Sequence, residues 1–94
     1  MNRCLRIIIT AQFSKDFIPS VLKTAQKFEL EGTVQLVDPS LQQIRIIVCG
    51  SSESLDEFVD FLHEKTAKIE FVGFEIEPFL KDKDYRNVFR IIEK

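Results

Sequence analysis

The spacing of apolar positions changes along the chain, and each change predicts a new element of secondary structure. Residues 4–10 (CLRIIIT) form a short, β-branched apolar run, which predicts a strand with a buried face. Further on, apolar residues recur three or four positions apart, as in a helix with one buried side: Ile18, Val21, Leu22, Ala25 and Phe28. Ser14 or Asp16 can cap this first helix, and Pro19 suits its first turn. Gly32 follows its end, where a residue free to adopt a positive φ is often needed.

The middle of the chain repeats this change from strand to helix. Residues 33–37 (TVQLV) and 44–49 (IRIIVC) predict two strands, and residues 38–43, which begin with the turn formers Asp and Pro, join them into a hairpin. After Gly50, serines at positions 51, 52 and 54 can cap a second helix. Its apolar positions follow the same helical spacing: Leu55, Phe58, Val59 and Leu62.

The last third of the chain predicts two further strands. Residues 68–78 (KIEFVGFEIEP) alternate over most of their length, and residues 88–92 (VFRII) form a short final run. Between them, residues 79–87 are rich in Lys and Asp and predict a solvated loop. The order is β-α-β-β-α-β plus a terminal strand, and two such helices cover only one face of the sheet. We therefore predict the α+β class, as one domain over residues 1–94: a two-layer ferredoxin-like sandwich whose antiparallel sheet carries both helices on one face.

Charge and hydropathy narrow the range of partners. The chain has 13 basic and 15 acidic residues, a net charge of -2, and no basic run that would neutralise several phosphates, so we expect no nucleic-acid partner. The apolar runs are only as long as strands, and the N-terminus has no charged region followed by a long apolar one. We therefore expect no membrane association and a cytoplasmic location.

The cysteines and the histidine give no sign of metal, cofactor or redox chemistry. Cys4 and Cys49 lack the CxxC spacing, and buried, reduced thiols are the expectation for a cytoplasmic chain. The predicted antiparallel strands would bring the two cysteines near each other, so a disulfide stays open. His63 has no sequence-near nucleophile or metal-spaced companion, which indicates a histidine at the surface or its boundary.

Three segments carry a resemblance to a known enzyme family. Residues 25–34 (AQKFELEGTV) match the end of a first helix and a Gly turn into the next strand, and residues 50–62 (GSSESLDEFVDFL) match a second helix that opens with Gly and small and acidic residues. Residues 89–91 (FRI) match a closing F-x-I strand. Over nearly its whole length the chain resembles an acylphosphatase, a family of small ferredoxin-like domains that hydrolyse carboxyl-phosphate anhydrides.

The resemblance breaks at the two catalytic positions. The family pattern V-Q-G-V-x-F-R, often followed by Pro, puts Phe17 and Pro19 on the family's Phe and Pro, and Ile18 on its catalytic Arg. The family's catalytic Asn, four positions after the turn Gly, falls on Leu36. In the family the Arg clamps the phosphoryl oxygens and the Asn positions the attacking water, whereas Ile and Leu offer neither a donor nor an acceptor. Loss of one such donor typically costs about 10²- to 10³-fold in rate. Ile18 also belongs to the apolar stripe of the first helix, so we expect it to pack on the core.

The loop that would cradle phosphate is also altered, and we treat it as a degenerate anion loop: Phe13, Ser14, Lys15, Asp16 and Phe17. No Gly permits the tight turn that points several N–H groups at one anion. Asp16 would cap the helix amides that a phosphate needs. Lys15 is the only cation of the loop, but it lacks the bidentate fork of Arg, and we interpret it as a solvated lysine.

These substitutions predict an acylphosphatase-like domain without catalytic residues, which acts as a binding or regulatory module. Its partner would be another protein, or a second copy that pairs through an exposed strand edge. If Leu36 is exposed, it would form a small apolar patch with Phe13 or Phe17, and such patches tend to mark partner contacts.

Two alternatives remain open. In the first, Lys15 with Gln12 and Gln35 rebuilds a site for a small anion that still hydrolyses acyl phosphates. In the second, the domain senses a small ligand, as amino-acid-binding ferredoxin-like domains do, although the chain lacks the Gly-rich first loop that those domains usually show.

Overall fold

The computed structural model describes residues 2–12, 15–38, 42–67, 69, 73–78 and 88–92. Five strands and two helices alternate in the predicted order, which confirms the α+β class. The elements are β1 (Asn2–Thr10), α1 (Phe17–Lys27), β2 (Glu31–Asp38), β3 (Gln43–Ser51), α2 (Ser52–Thr66), β4 (Gly73–Pro78) and β5 (Phe89–Ile92). The loop predicted at 79–87 lies outside the described residues.

The five strands form one sheet in the order β4-β1-β3-β2-β5. Three of its pairs, β1–β3, β1–β4 and β2–β3, are antiparallel, as predicted. The β2–β5 pair is parallel, so the sheet is mixed and the prediction of a wholly antiparallel sheet is corrected. Strands β1 and β2 are both antiparallel to β3, so they run in the same direction, and β4, which is antiparallel to β1, runs in the opposite direction. A last strand that reverses direction after β4 is therefore parallel to β2.

The core lies between the sheet and the two helices. Alternate residues of the central strands point to it, as the pleat requires, and the apolar stripes of both helices pack on them. Its fully buried members come from strands and helices alike: Ile7, Ile9, Val21, Val34, Ile44, Ile46, Val48, Leu55, Phe58, Leu62 and Phe89. Because both helices contribute to this one cluster, the fold is the predicted two-layer sandwich.

The first helix ends in a motif that the sequence prediction assigned to the wrong residue. Glu29, not Gly32, adopts the positive φ that ends the helix, with a φ of 58°. The Glu29 N–H donates to the Gln26 carbonyl (3.1 Å) and the Leu30 N–H donates to the Ala25 carbonyl (2.9 Å), which is the hydrogen-bond pattern of a Schellman motif. Gly32 instead lies inside β2 with a φ of 140°, where a Cβ would overlap the carbonyl oxygen of Ile47.

The second helix follows its sequence signals closely, whereas the strand after it does not. Ser51 is the N-cap, and its Oγ accepts a hydrogen bond from the Ser54 N–H (3.1 Å), as predicted. β4 is described from Gly73 onward, and at Ile69, which the sequence prediction placed inside the strand, the chain is still turning and its N–H donates to the Thr66 carbonyl (3.0 Å). Residues 68 and 70–72 lie outside the described part.

Cys4 and Cys49 form a disulfide, which corrects the prediction of reduced thiols. The register of β1 and β3 sets the two residues directly opposite each other, with their Cα atoms 4.1 Å apart. Pairing between strands 45 residues apart in sequence is a tertiary property that cysteine spacing does not report. Among the described residues, neither helix is long and apolar enough to span a bilayer.

Candidate functional site

Leu36, which the resemblance aligns with the family's Asn, is exposed on the helix side of the sheet. Leu36 is paired with Ile44 near the end of β2 and points to the same face as Val34 and Ile44, both of which are fully buried. Leu36 itself is 39% exposed. The helix-covered face therefore becomes open to solvent at Leu36, where it offers only an aliphatic side chain.

Ile18, which the resemblance aligns with the family's Arg, packs against the core. Ile18 is the second residue of α1, half-buried, and packed against the main apolar cluster. This confirms the expected packing role. An isoleucine in this position contributes apolar contact to the first turn of the helix and no hydrogen-bond donor.

The degenerate anion loop is described only from Lys15 onward, since Phe13 and Ser14 lie outside the described residues. Lys15 is exposed, as expected for a solvated lysine, and Asp16 is exposed as well. Phe17 is only 6% exposed and belongs to the core. Its predicted role in an exposed patch with Leu36 is therefore wrong, because a side chain that is 6% exposed adds almost no surface to such a patch.

Asp16 does not cap α1 with its side chain, which corrects the prediction that its carboxylate occupies the helix amides. It stands at the N-cap position, but its carboxylate makes no capping hydrogen bond. The backbone explains this, because Asp16 has helical dihedrals (φ -90°, ψ -5°) and Ser51, which does cap α2, has extended ones (φ -66°, ψ 153°). The extended conformation is the one that turns an N-cap side chain back onto the helix amides.

The alternative anion site of Lys15, Gln12 and Gln35 is not assembled. Gln35 follows Val34 in β2, so its side chain points to the helix-free face of the sheet. There its Oε1 accepts a hydrogen bond from an Arg45 guanidinium nitrogen (2.9 Å). Gln12, by contrast, lines a groove on the helix side.

This groove, of about 680 Å³, runs between the start of α1 and the end of α2. Its apolar floor consists of Phe17, Phe61 and Ile69, and its rim carries Asp16, Glu64 and Lys65. Sequence reasoning missed it, because only the packing of the two helices brings these residues together. One signal was present: Phe61 widens the apolar stripe of α2 beyond the residues that the core requires.

His63 lies at the surface, as predicted, where it contacts an aromatic ring. The His63 imidazole stacks on the Phe74 ring of β4, with centroids 4.5 Å apart and planes 21° apart. Among the described residues, no group of three His, Cys, Asp or Glu side chains could hold a metal ion. The contact joins α2 to the edge of the sheet.

Solved structures resemble this chain over its whole length. An acylphosphatase from Coxiella burnetii is 23% identical, with a TM-score of 0.76 over 97% of this chain and 93% of that one. The acylphosphatase from Bacillus subtilis is 22% identical, with a TM-score of 0.72 over 99% of this chain and 100% of that one. These matches establish the acylphosphatase-like ferredoxin-like fold.

The same fold also occurs inside a longer signalling protein. A bacterial light-regulated adenylyl cyclase is 15% identical, with a TM-score of 0.65 over 97% of this chain and 28% of that chain. No protein-family model and no curated protein sequence matches the chain.

Proposed function

We propose that this acylphosphatase-like domain does not hydrolyse acyl phosphates and acts as a small binding or regulatory module. What supports the proposal is the pair of aliphatic residues that the resemblance aligns with the family's two catalytic positions. Ile18 packs on the core and Leu36 is exposed, and neither side chain can hold a phosphoryl group or a water molecule.

The energetic argument rests on what a phosphoryl site needs. Charge that develops in the transition state is stabilised by donors already aimed at it, and each lost donor costs about 10²- to 10³-fold in rate. Here both the guanidinium and the carboxamide are absent. Lys15 is too exposed and too mobile in its long side chain to replace a bidentate clamp.

Phosphate binding tests this part of the proposal without relying on turnover. Inorganic phosphate titrated into the ¹⁵N-labelled chain should leave the amide signals of Lys15, Asp16 and Ile18 within the small shifts given by the same ionic strength of chloride. Saturable shifts at millimolar phosphate that disappear in Lys15→Ala would contradict the loss of the phosphate-binding loop and would support the small-anion alternative.

For the binding surface, the end of β2 is favoured over β4, the outermost strand of the described sheet on its side. Leu36 is an exposed apolar side chain beside Val34 and Ile44, which are on the same face and fully buried. The edge strand β4 instead carries Glu75, Glu77 and Pro78, and charges and proline on an edge strand discourage pairing with another strand. We therefore assign contact with a protein partner, or with a second copy, to the surface at Leu36.

Sedimentation and partner capture with Leu36→Asp test this assignment. Ile76 is the matched control, because it is also 39% exposed and also on the helix side of the sheet, but it lies on β4. Leu36→Asp should weaken self-association or partner capture at least tenfold, and Ile76→Asp should change neither. Equal effects of the two variants would contradict the assignment.

A second candidate function, sensing of a small ligand, is favoured by the groove between α1 and α2. It uses a different surface from Leu36, so a domain with this fold can have both properties. The two functions are separable, because variants in the groove and at Leu36 alter different elements.

The cytoplasmic location stays a prediction, and the redox state of Cys4 and Cys49 in cells tests it. Disulfides are rare in the reducing cytosol. Alkylation of thiols in intact cells before lysis, followed by mass spectrometry, counts the free cysteines. Two labelled cysteines would support the cytoplasm, and none would support an oxidising compartment.

A further inference from the structure

The groove between α1 and α2 combines a fixed apolar floor with charges of both signs. Phe17 is 6% exposed, so its ring is held by the core. Phe61 stacks on the buried Phe58 with ring centroids 6.3 Å apart, and Ile69 is anchored by its N–H to the Thr66 carbonyl (3.0 Å). A floor that is held in place from below loses little conformational entropy when a ligand binds to it.

The rim sets what kind of ligand fits. Asp16 and Glu64 present carboxylates, and Lys65 presents an ammonium group whose Nζ lies 6.0 Å from the centre of the Phe61 ring. The Asp16 carboxylate is not used to cap α1. Among the described residues, none of these three groups forms an ion pair with another side chain.

We propose that this groove binds a free α-amino acid with a large apolar side chain. The ligand ammonium would meet the carboxylates of Asp16 and Glu64, the ligand carboxylate would meet Lys65, and the apolar side chain would lie on the phenylalanine floor. A ligand with only one charge would leave one sign of the rim without a counterpart, which costs affinity. The groove volume of about 680 Å³ is within the range of small-molecule sites and leaves room for an aromatic side chain.

Two neutral side chains add hydrogen-bonding capacity at the same place. Gln12 and Ser20 both line the groove. Gln12 follows β1 and Ser20 is in the first turns of α1, so the polar groups come from elements on both sides of the α1 N-terminus. This inference concerns a surface other than Leu36 and stands apart from the loss of acyl-phosphate hydrolysis.

Three probes that share one ring test the ligand class on the full chain: L-phenylalanine, phenethylamine and 3-phenylpropionate. Calorimetric titration gives the dissociation constant of each probe. At ten times its dissociation constant, L-phenylalanine should raise the Tm of the domain by about 5 °C or more. The singly charged amine and acid should bind at least tenfold more weakly. Absence of binding by L-phenylalanine, or equal affinity for all three probes, would overturn the proposal.

Matched variants test the location. Lys65→Met and Glu64→Gln keep most of each side chain's bulk, remove one charge of the rim, and should each weaken L-phenylalanine binding at least tenfold. Lys27→Met and Asp56→Asn change exposed charges on the same two helices that do not line the groove, and they should leave the affinity unchanged. Equal losses in both sets would overturn the site. Leu36→Asp should bind L-phenylalanine like the wild type, which separates this result from the partner surface.

Discussion

Cys4 and Cys49 face each other across the two central strands of the sheet, and a disulfide joins β1 to β3 at that point. The bond closes a loop that contains α1, β2 and most of β3. Its contribution to stability depends on this long loop, because a cross-link removes more freedom from the unfolded chain when the loop is longer.

Removal of the disulfide should therefore destabilise the domain strongly. With a sequence separation of 45 residues, the chain-entropy relation gives about 4 kcal/mol. Urea unfolding of the Cys4→Ala/Cys49→Ala double variant should show this loss, and dithiothreitol should shift the wild-type midpoint to a similar value. The double variant should not respond to dithiothreitol, and a wild-type midpoint that is also insensitive to the reductant would contradict a structural role.

Glu29 is expected to limit the stability of the turn after α1. A non-glycine residue at a φ of 58° carries a steric cost that glycine does not. Glu29→Gly should therefore raise the free energy of unfolding by about 0.5 to 1 kcal/mol, measured by urea denaturation. Glu29→Ala, which keeps the Cβ, should give no such gain; if it stabilises as much as glycine, the side-chain charge and not the backbone is the cause.

Gly32 should tolerate no side chain. At a φ of 140°, a Cβ would overlap the Ile47 carbonyl of the neighbouring strand, so Gly32→Ala must move the β2–β3 ladder and should cost about 3 kcal/mol or more. Gly73→Ala is the control, because its Cβ would lie 3.5 Å from the Thr10 side chain, an ordinary contact. Thermal unfolding of the two variants compares them, and similar melting temperatures would refute the close approach at Gly32.

The two helix starts should respond differently to loss of their N-cap side chains. Ser51→Ala removes a hydrogen bond to the Ser54 N–H and should cost about 1 kcal/mol. Asp16→Ala removes no such bond and should cost no more than about 0.3 kcal/mol. Equal costs in denaturant unfolding would mean that Asp16 caps α1 in solution after all.

The elements that sequence analysis predicted well are those whose signals are local. The N-cap Ser51 and the apolar stripe from Leu55 to Leu62 define α2. Both signals depend only on residue types a few positions apart in the sequence. The helical spacing likewise placed Ile18 in the apolar stripe of α1. Each of these inferences needs only neighbouring residues and the period of the element.

The errors concern properties that neighbouring residues do not determine. The cysteine pair depends on the register between β1 and β3, and the groove depends on the packing of α1 against α2. Asp16 has a capping side chain but a helical backbone conformation, and Glu29 adopts a conformation for which sequence rules favour glycine. Phe17 was one of two candidates for an apolar patch with Leu36, whereas its position in the first turn of α1 buries it in the core.

Turnover of benzoyl phosphate, followed beside the Bacillus subtilis acylphosphatase, tests the central claim most directly. With both the guanidinium and the carboxamide absent, two losses of about 10²- to 10³-fold each predict a kcat/KM at least about 10⁴-fold below that of the reference enzyme. Hydrolysis at the spontaneous rate, or with a kcat/KM at least about 10⁴-fold below the reference, agrees with a domain that has lost acyl-phosphate hydrolysis. A kcat/KM within about 100-fold of the reference, less than the two losses together allow, would contradict it.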